Sequence, residues 1–486
     1  MERKHFLTLG AGLTVGSLMG KSPLSISAAE KLKSQDQWLQ KWLNDAQHPM
    51  PVEPSQQQPE ADSAYWDFIR GLFPLNPKIT FLNNGTMGIT PLPVLEALNK
   101  SFRNLAENAA YPMHDGSFEE QLGQIMGCKG SELAITKNVS EGVNLACRAI
   151  ALKKGDEVII TRHEHVGGCA PWLYRAKTEG IVLKVVELGS NAAETLANVK
   201  KAKTPKTKVV ALPHIPCTIG QILPIKEICA WAKENHIISA IDGAHPLGMI
   251  EFNLKELGCD YYSGCFHKWL LGPIGTGFFY ASENILATSA IHHVAAYSVD
   301  TFNMSTIPPS LGDLVNKTSR YSYGTFPGPM YDGAKAAMQF YQKIGPALIE
   351  KRVKHLSQLV MNGLMERNSL AKGPNGKEIK SPDGKPLLWK MHNSQGPIIT
   401  ILTPQEDISR GAQVGFTIKG LKQPEANPTA GQRFCDYARK NNVILRYVAE
   451  NDIHCVRVST HYYNNLGDIK KFFEVLDGFL KEEGWF

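Results

Sequence analysis

The sequence predicts an α/β fold in which a largely parallel sheet is covered by helices on both faces, followed by a smaller α+β part. Three observations carry this. From about Ile79 onward, short β-branched runs alternate with segments whose apolar residues recur at helical spacing. The runs are continuous rather than alternating, as expected of strands buried on both faces. Around Phe326-Pro-Gly-Pro329 the alternation stops and a long helical stretch opens a C-terminal part of different texture.

Taken in order, the first element is a signal. Residues 1–29 place Arg3-Lys4 before Phe6-Leu7, then a Gly-rich, weakly apolar stretch, then Ser25-Ile-Ser-Ala-Ala29. A basic start, a moderate apolar run and small residues suited to cleavage read as an export signal. It resembles a twin-arginine (Tat-like) signal with Lys in the second place, so a periplasmic or exported protein is expected. Residues 30–75 read as a helix and a proline-containing linker. A large domain is expected over 76–328, with strands at Glu157–Thr161, Val182–Val186, 208–212 and 237–241 and helices at 172–180 and 225–236. A small domain is expected over 329–486. It begins with one long helix at 331–367. Gly373-Pro-Asn-Gly and Pro382-Asp-Gly then mark a surface excursion at 368–396. Strands at 398–402, 414–418 and 443–447 and a closing amphipathic helix at 468–483 complete it.

Composition narrows the function classes. The chain has 486 residues, 43% hydrophobic and 20% charged, which is ordinary globular composition and excludes a disordered tail or a disulfide-stapled miniature. The net charge of +6 is dilute and forms no basic block, so no nucleic-acid partner is expected. After the first thirty positions no apolar run reaches membrane-spanning length, so no stable membrane insertion is expected once the signal is removed. Nine cysteines are scattered with no C-x-x-C, which suggests neither a zinc ribbon nor a disulfide framework. His163 and His165 form an H-x-H pair without a third ligand at a metal-site spacing, so no metal is expected.

The chemistry concentrates in 237–280. Asp242 stands at the carboxyl end of a predicted strand, where open α/β sheets bind ligands. Ser263-Gly-Cys-Phe-His267-Lys268-Trp269 follows, running into a Gly-rich turn that is not a dinucleotide fingerprint. A partly desolvated lysine in such a place suits Schiff-base chemistry. Upstream, Asn138-Val139-Ser140 opens a helix, and free N–H groups with a hydroxyl at a helix start suit a phosphate. His165, after the strand Glu157–Thr161, is placed to stack on a flat ligand. An acid for a pyridinium, a lysine for an aldehyde, a phosphate cup and a stacking ring together describe pyridoxal 5′-phosphate.

From about Ile79 to the end the chain resembles the class V aminotransferase family of fold-type I pyridoxal-phosphate enzymes, which includes cysteine desulfurases and isopenicillin N epimerase. The resemblance rests on Asn83-Asn84-Gly85, Asn138-Val-Ser140-Glu-Gly142, Glu164-His165, Asp242-Gly-Ala-His245, His267-Lys268-Trp269, Gly324-Thr325 and Arg457-Val-Ser-Thr460. The His-Lys-Trp motif and the ending from Arg457 look most like the isopenicillin N epimerase branch. The resemblance implies a mostly parallel seven-stranded sheet flanked by helices, plus a smaller α+β C-terminal domain. It implies that Lys268 is the Schiff-base lysine and base, that Asp242 pairs with the pyridine nitrogen, and that His165 stacks on the ring. It puts His245 near the ring oxygen in place of the family's frequent Gln. It sets Val139, Ser140 and His267 at the phosphate, and it has Thr325 reach the phosphate of a neighbouring subunit, hence a homodimer. Arg457 would grip the substrate carboxylate, with Asn84 and Arg446 assisting. Cys265 stands where many relatives carry Ser or Asn.

The function so implied is a pyridoxal-phosphate enzyme acting at the α-carbon of an amino acid or amine, as an aminotransferase or epimerase. A desulfurase is disfavoured, because the segment before Arg457 lacks a mobile-loop cysteine and Cys455 falls in an expected strand. A C–S or other β-lyase, a non-catalytic exported binding protein of the same fold and, more remotely, a nicotinamide-dependent dehydrogenase are the alternatives.

Overall fold

The computed structural model describes residues 54–55, 57–109, 114–290, 294–295, 298–322, 324–368, 397–420 and 428–485. The expected signal at 1–29, the start of the expected N-terminal helix, and the excursion beyond residue 368 lie outside the described residues. Seven strands form the main sheet: β1 (Leu133–Thr136), β2 (Glu157–Thr161), β3 (Val182–Val186), β4 (Thr207–Pro213), β5 (Ile238–Gly243), β6 (Tyr261–Cys265) and β7 (Gly277–Ala281). Their order is β1-β7-β6-β5-β4-β2-β3, and β7 alone runs antiparallel to its neighbours. The mostly parallel seven-stranded sheet of a fold-type I enzyme is therefore present.

The central strands are apolar on both faces. Val158, Val209, Val210 and Phe279 are fully buried, and Val158, Val209 and Phe279 share one core cluster with Ala146 and Trp172 of the covering helices. Each such side chain contributes roughly 1.5–3 kcal/mol, which fixes the strand ends rigidly. The expectation of two buried faces fails at β3, the sheet edge, where Val182 and Val185 are exposed. Lys184 between them is the kind of edge charge that discourages pairing with another chain.

A second, four-stranded antiparallel sheet contains β8 (Ile399–Ile401), β9 (Gln413–Ile418), β10 (Arg446–Val448) and β11 (Cys455–Ser459), ordered β8-β9-β11-β10. Two expectations are corrected here. The single helix at 331–367 is two helices, Gly328–Ile344 and Pro346–Glu366, because Gly345 at φ 100° and Pro346 after it cannot continue a helix. The strand at 443–447 is also two: Val443–Ile444 pairs with Thr80–Phe81, and Arg446 onward pairs with β11. Thr80–Phe81 thus joins the C-terminal layer although it precedes the large sheet in sequence, and Leu82 is buried in that layer's core. Among the described residues, no helix is long and apolar enough to cross a membrane.

Candidate active site

The carboxyl ends of β1, β2, β4, β5 and β6 open on one cleft of about 230 Å³. Each strand delivers a group there because a parallel sheet aligns its strand ends and the following turns must leave on that side. From β5 comes Asp242, whose Oδ1 accepts the Ala244 N–H at 2.9 Å. The turn after β6 brings His267 and Lys268, and the Lys268 Nζ lies 3.3 Å from Nε2 of His245. From β2 comes His165, which caps the helix Val166–Glu179 by accepting the Gly167 N–H at Nδ1. From β1 come Val139 and Ser140, in the first turn of the helix Val139–Ala149 capped by Asn138.

Electrostatics follow from burial around one cation. Burial pushes the Asp242 carboxyl up from its ordinary range, and Lys268 pulls it back down. The rings of His165 and His245 are both held below the usual imidazole range by burial and then by Lys268. His267 is pushed down to about 4 for the same two reasons. The imidazoles are therefore neutral at pH 7, and each must be described by its tautomer rather than its charge.

These parts fit pyridoxal 5′-phosphate. The first N–H groups of the helix Val139–Ala149 have no partner within the helix, and Ser140 stands beside them. Nδ1 of His267 is buried with no hydrogen-bond partner among the described residues. A Cβ on Gly167, which lines the cleft, would stand 2.4 Å from Ser140 Oγ, so this glycine keeps the cradle open. Any side chain there would fill the space a flat phosphorylated ring needs.

Two expected site residues, Arg457 and Asn84, are drawn into the packing and do not line the cleft. Arg457 is fully buried and outside the cleft wall; its Nη1 donates to the Cys217 carbonyl, and its Nη2 donates to Asn83 and Thr86. The arginine in the wall is Arg446, ion-paired with Glu450. Asn84 is buried too, donating to the Lys268 carbonyl at 3.3 Å and accepting from the Tyr463 hydroxyl. It holds the lysine's backbone and does not face the cleft. Thr325 is exposed and lies off this cleft. His163 turns to Thr218 Oγ1 at 2.8 Å while His165 turns to Gly167, so the H-x-H pair does not converge on a metal.

Sequence reasoning missed several parts. Pro213 and Ile215, at and just after the end of β4, line the cleft. Gly88 donates its N–H to the His267 carbonyl at 2.8 Å, which seats the 83–88 turn on the lysine segment. Glu164 lies buried near Asp242, its Oε1 accepting from the N–H and hydroxyl of Thr161. Its place beside His165 was visible in the sequence, but its depth was not. Asn451 donates to the Glu164 carbonyl at 2.9 Å, a contact between residues 287 apart that no local pattern encodes.

The architecture and the cleft define a fold-type I enzyme built around pyridoxal phosphate. The chain belongs to the aminotransferase class-V family, which it matches over residues 80–381. The family and the donor set of the cleft agree on pyridoxal 5′-phosphate as the cofactor. Among its relatives, an isopenicillin N epimerase of Streptomyces clavuligerus is 29% identical over 73% of this chain and 90% of its own. A "Probable cysteine desulfurase" of Pyrococcus abyssi is 27% identical over 85% and 97%. The solved apo structure of a cysteine desulfurase from Thermococcus onnurineus superposes with a TM-score of 0.71 at 21% identity, covering 87% of this chain and all of that one. The expected family is borne out, and its epimerase and desulfurase branches both stand among the relatives.

Proposed function

We propose that the chain moves the α-proton of an amino acid or related amine, as an epimerase or aminotransferase. The observation that carries this is the convergence of Lys268, Asp242 and His165 on one cleft. When bound, pyridoxal 5′-phosphate supplies an electron-accepting ring that acidifies the Cα–H of the amino acid joined to it. The chain does the rest. Lys268 Nζ takes the proton from Cα; its delivery to the opposite face of Cα would give an epimer, and its delivery to a different carbon would give transamination. With Oδ1 of Asp242 engaged by Ala244, Oδ2 is left to pair with a protonated ring nitrogen. The His165 imidazole forms a wall for a flat ring. The Val139 and Ser140 amides, with His267, would hold a phosphate, and Arg446 in the wall would meet a carboxylate.

The relatives' names do not choose between proton transfer and sulfur removal; the cysteines favour the former. All nine are described, and Cys455 lies fully buried in β11, its Sγ 3.6 Å from the Thr218 carbonyl oxygen. Burial pushes its thiol up to about 12. Cys217 and Cys265, in the cleft wall, are buried as well. A sulfur acceptor must be a mobile thiolate, and none of these three is placed to act as one. A β-lyase needs no such cysteine and remains the second reading.

The test is a panel of L- and D-amino acids followed by chiral chromatography and keto-acid detection. Label exchange at Cα without keto acid supports an epimerase, and keto acid supports an aminotransferase. Pyruvate and ammonia released from β-substituted substrates would replace the proposal with a lyase, and turnover of nothing would replace it with a binding protein.

The proposal includes a homodimer. Phe302, Met304, Ile307 and Leu311 form an exposed apolar ridge, with Ile307 wholly exposed, and such a patch suits a subunit contact. Light scattering that gives a monomer would remove this part. Export through residues 1–29 is tested by N-terminal sequencing of the mature protein from its native cell.

A further inference from the structure

We infer that Trp269 is a positioning residue: it fixes the tautomer of His245 and so makes Nε2–H a permanent donor aimed at the nitrogen of Lys268. The indole Nε1–H lies 2.9 Å from His245 Nδ1, and both groups are buried. An indole nitrogen only donates, so Nδ1 must carry a lone pair and the single ring proton sits on Nε2. Nε2 is the atom 3.3 Å from Lys268 Nζ. An N–H in that place complements a nitrogen lone pair or an oxyanion and opposes another N–H. The charged or titratable groups acting on the ring are Lys268, Arg457, His165 and Arg446, none of them acidic, so nothing recruits a second proton.

Trp269 is itself held, at its ring by one contact and at its backbone carbonyl by two. His461 donates from Nε2 to the Trp269 carbonyl at 2.8 Å, and its ring stacks on the indole at 5.3 Å. His461 has no freedom of tautomer either, because its Nδ1 accepts the Tyr462 N–H at 2.7 Å. Against the same carbonyl Gly248, at φ 90°, packs so closely that a Cβ would stand 2.3 Å from the Trp269 carbonyl carbon. The result is a fixed direction from the indole N–H to His245 Nδ1 and from His245 Nε2–H toward Lys268, with His461 anchoring the backbone and ring of Trp269. Were Trp269 only a filler of core volume, the proton on His245 would not depend on it.

The tautomer claim is independent of the cofactor; the consequence for the nitrogen at 268 rests on the reading of Lys268 given above. The experiment separates the two. Nitrogen-15 histidine labelling of the full chain, without cofactor, locates His245 by the signal lost in His245→Gln. The expected pattern is the Nε2–H tautomer, unchanged from about pH 6 to pH 8. An Nδ1–H pattern, or protonation within that range, overturns the inference in the wild-type protein, whatever any variant does. The second arm loads wild type and Trp269→Phe with pyridoxal 5′-phosphate and follows the visible absorbance against pH. Phe keeps an aromatic ring, smaller than the indole, and removes the donor, freeing His245 to offer a lone pair to a protonated chromophore. The midpoint should rise by about one unit, a tenfold change in that equilibrium. An unchanged midpoint in a folded variant overturns the inference. A wild type that shows the tautomer but takes up no chromophore overturns the functional reading instead.

Discussion

Arg457 donates from Nη1 to the carbonyl oxygen of Cys217 across 2.6 Å, tying β11 of the small sheet to the loop after β4. With Nη2 on Asn83 and Thr86, the guanidinium joins three separate stretches of chain, and no carboxylate among its hydrogen-bond partners balances its charge. Burial and then the nearby Arg446 push it down to about 10. Arg457→Lys keeps a charge but cannot span these acceptors. It should cost about 2–4 kcal/mol in urea melts, the loss of one or two hydrogen bonds to a charged group. Arg446→Gln, by contrast, breaks a partly buried pair with Glu450 and should change stability by about 1 kcal/mol. It should raise KM about tenfold for an amino acid with kcat little changed. The reverse pattern, a stability loss at 446 and a KM effect confined to 457, would return the carboxylate to Arg457.

Lys268→Ala should abolish label exchange at Cα, with a loss of at least about 10²–10⁴-fold, the range of a positioned base. Hydride reduction of the loaded wild-type protein should fix the cofactor on the peptide containing Lys268. Asp242→Asn should leave the fold intact, since Asn can still accept the Ala244 N–H, yet reduce exchange by a similar factor because it cannot balance a pyridinium. Retained exchange in either variant would move the chemistry to another residue.

The core of the site was legible because its chemistry is local. His267-Lys268-Trp269 and Asp242-Gly-Ala-His245 each lie within a single turn after a strand, and the strand pattern itself says where the turn emerges. Asn138 capping the helix Val139–Ala149 was likewise readable, as the Asn–x–x–Glu start shows. What failed to show depends on long-range packing. Arg457 reads as a substrate clamp in sequence, but Asn83, Thr86 and Cys217, some 240 to 374 residues away, engage its two Nη atoms, while its buried Nε has no partner among the described residues. Thr80–Phe81 reads as the start of the large domain, yet its pairing partner is at 443–444. Even the helix break at Gly345-Pro346 was present in the residues and was outweighed by apolar periodicity on both sides.

Gly88 shows how tightly the lysine segment is seated. A Cβ at this position would stand 2.1 Å from the Lys268 carbonyl oxygen, a backbone atom that cannot swing aside, and 2.5 Å from Leu271. Gly88→Ala should therefore cost about 1–3 kcal/mol, as overpacking does, and should lower kcat by displacing Lys268. A melt and a rate both equal to wild type would mean that the 83–88 turn moves freely over the lysine.

Glu164 supplies a prediction whose sign depends on pH. Burial raises its carboxyl to about 8 from an ordinary 4.5, against the lowering effect of the Thr161 hydrogen bonds and with a further push from Asp242. A carboxyl that binds its proton more tightly when folded has its full stability below the unfolded value. That stability is lost as pH rises through the folded one. Glu164→Gln removes the titration while its amide can keep the Thr161 bonds through the carbonyl oxygen. Relative to wild type, the variant should thus gain stability between about pH 5 and pH 8, on the order of a few kcal/mol at the upper end. Urea melts of cofactor-free protein at both ends of that window measure the difference. Parallel pH curves for the two proteins would mean that Glu164 is already ionised in the folded chain, with a cation or water compensating it beneath Asp242.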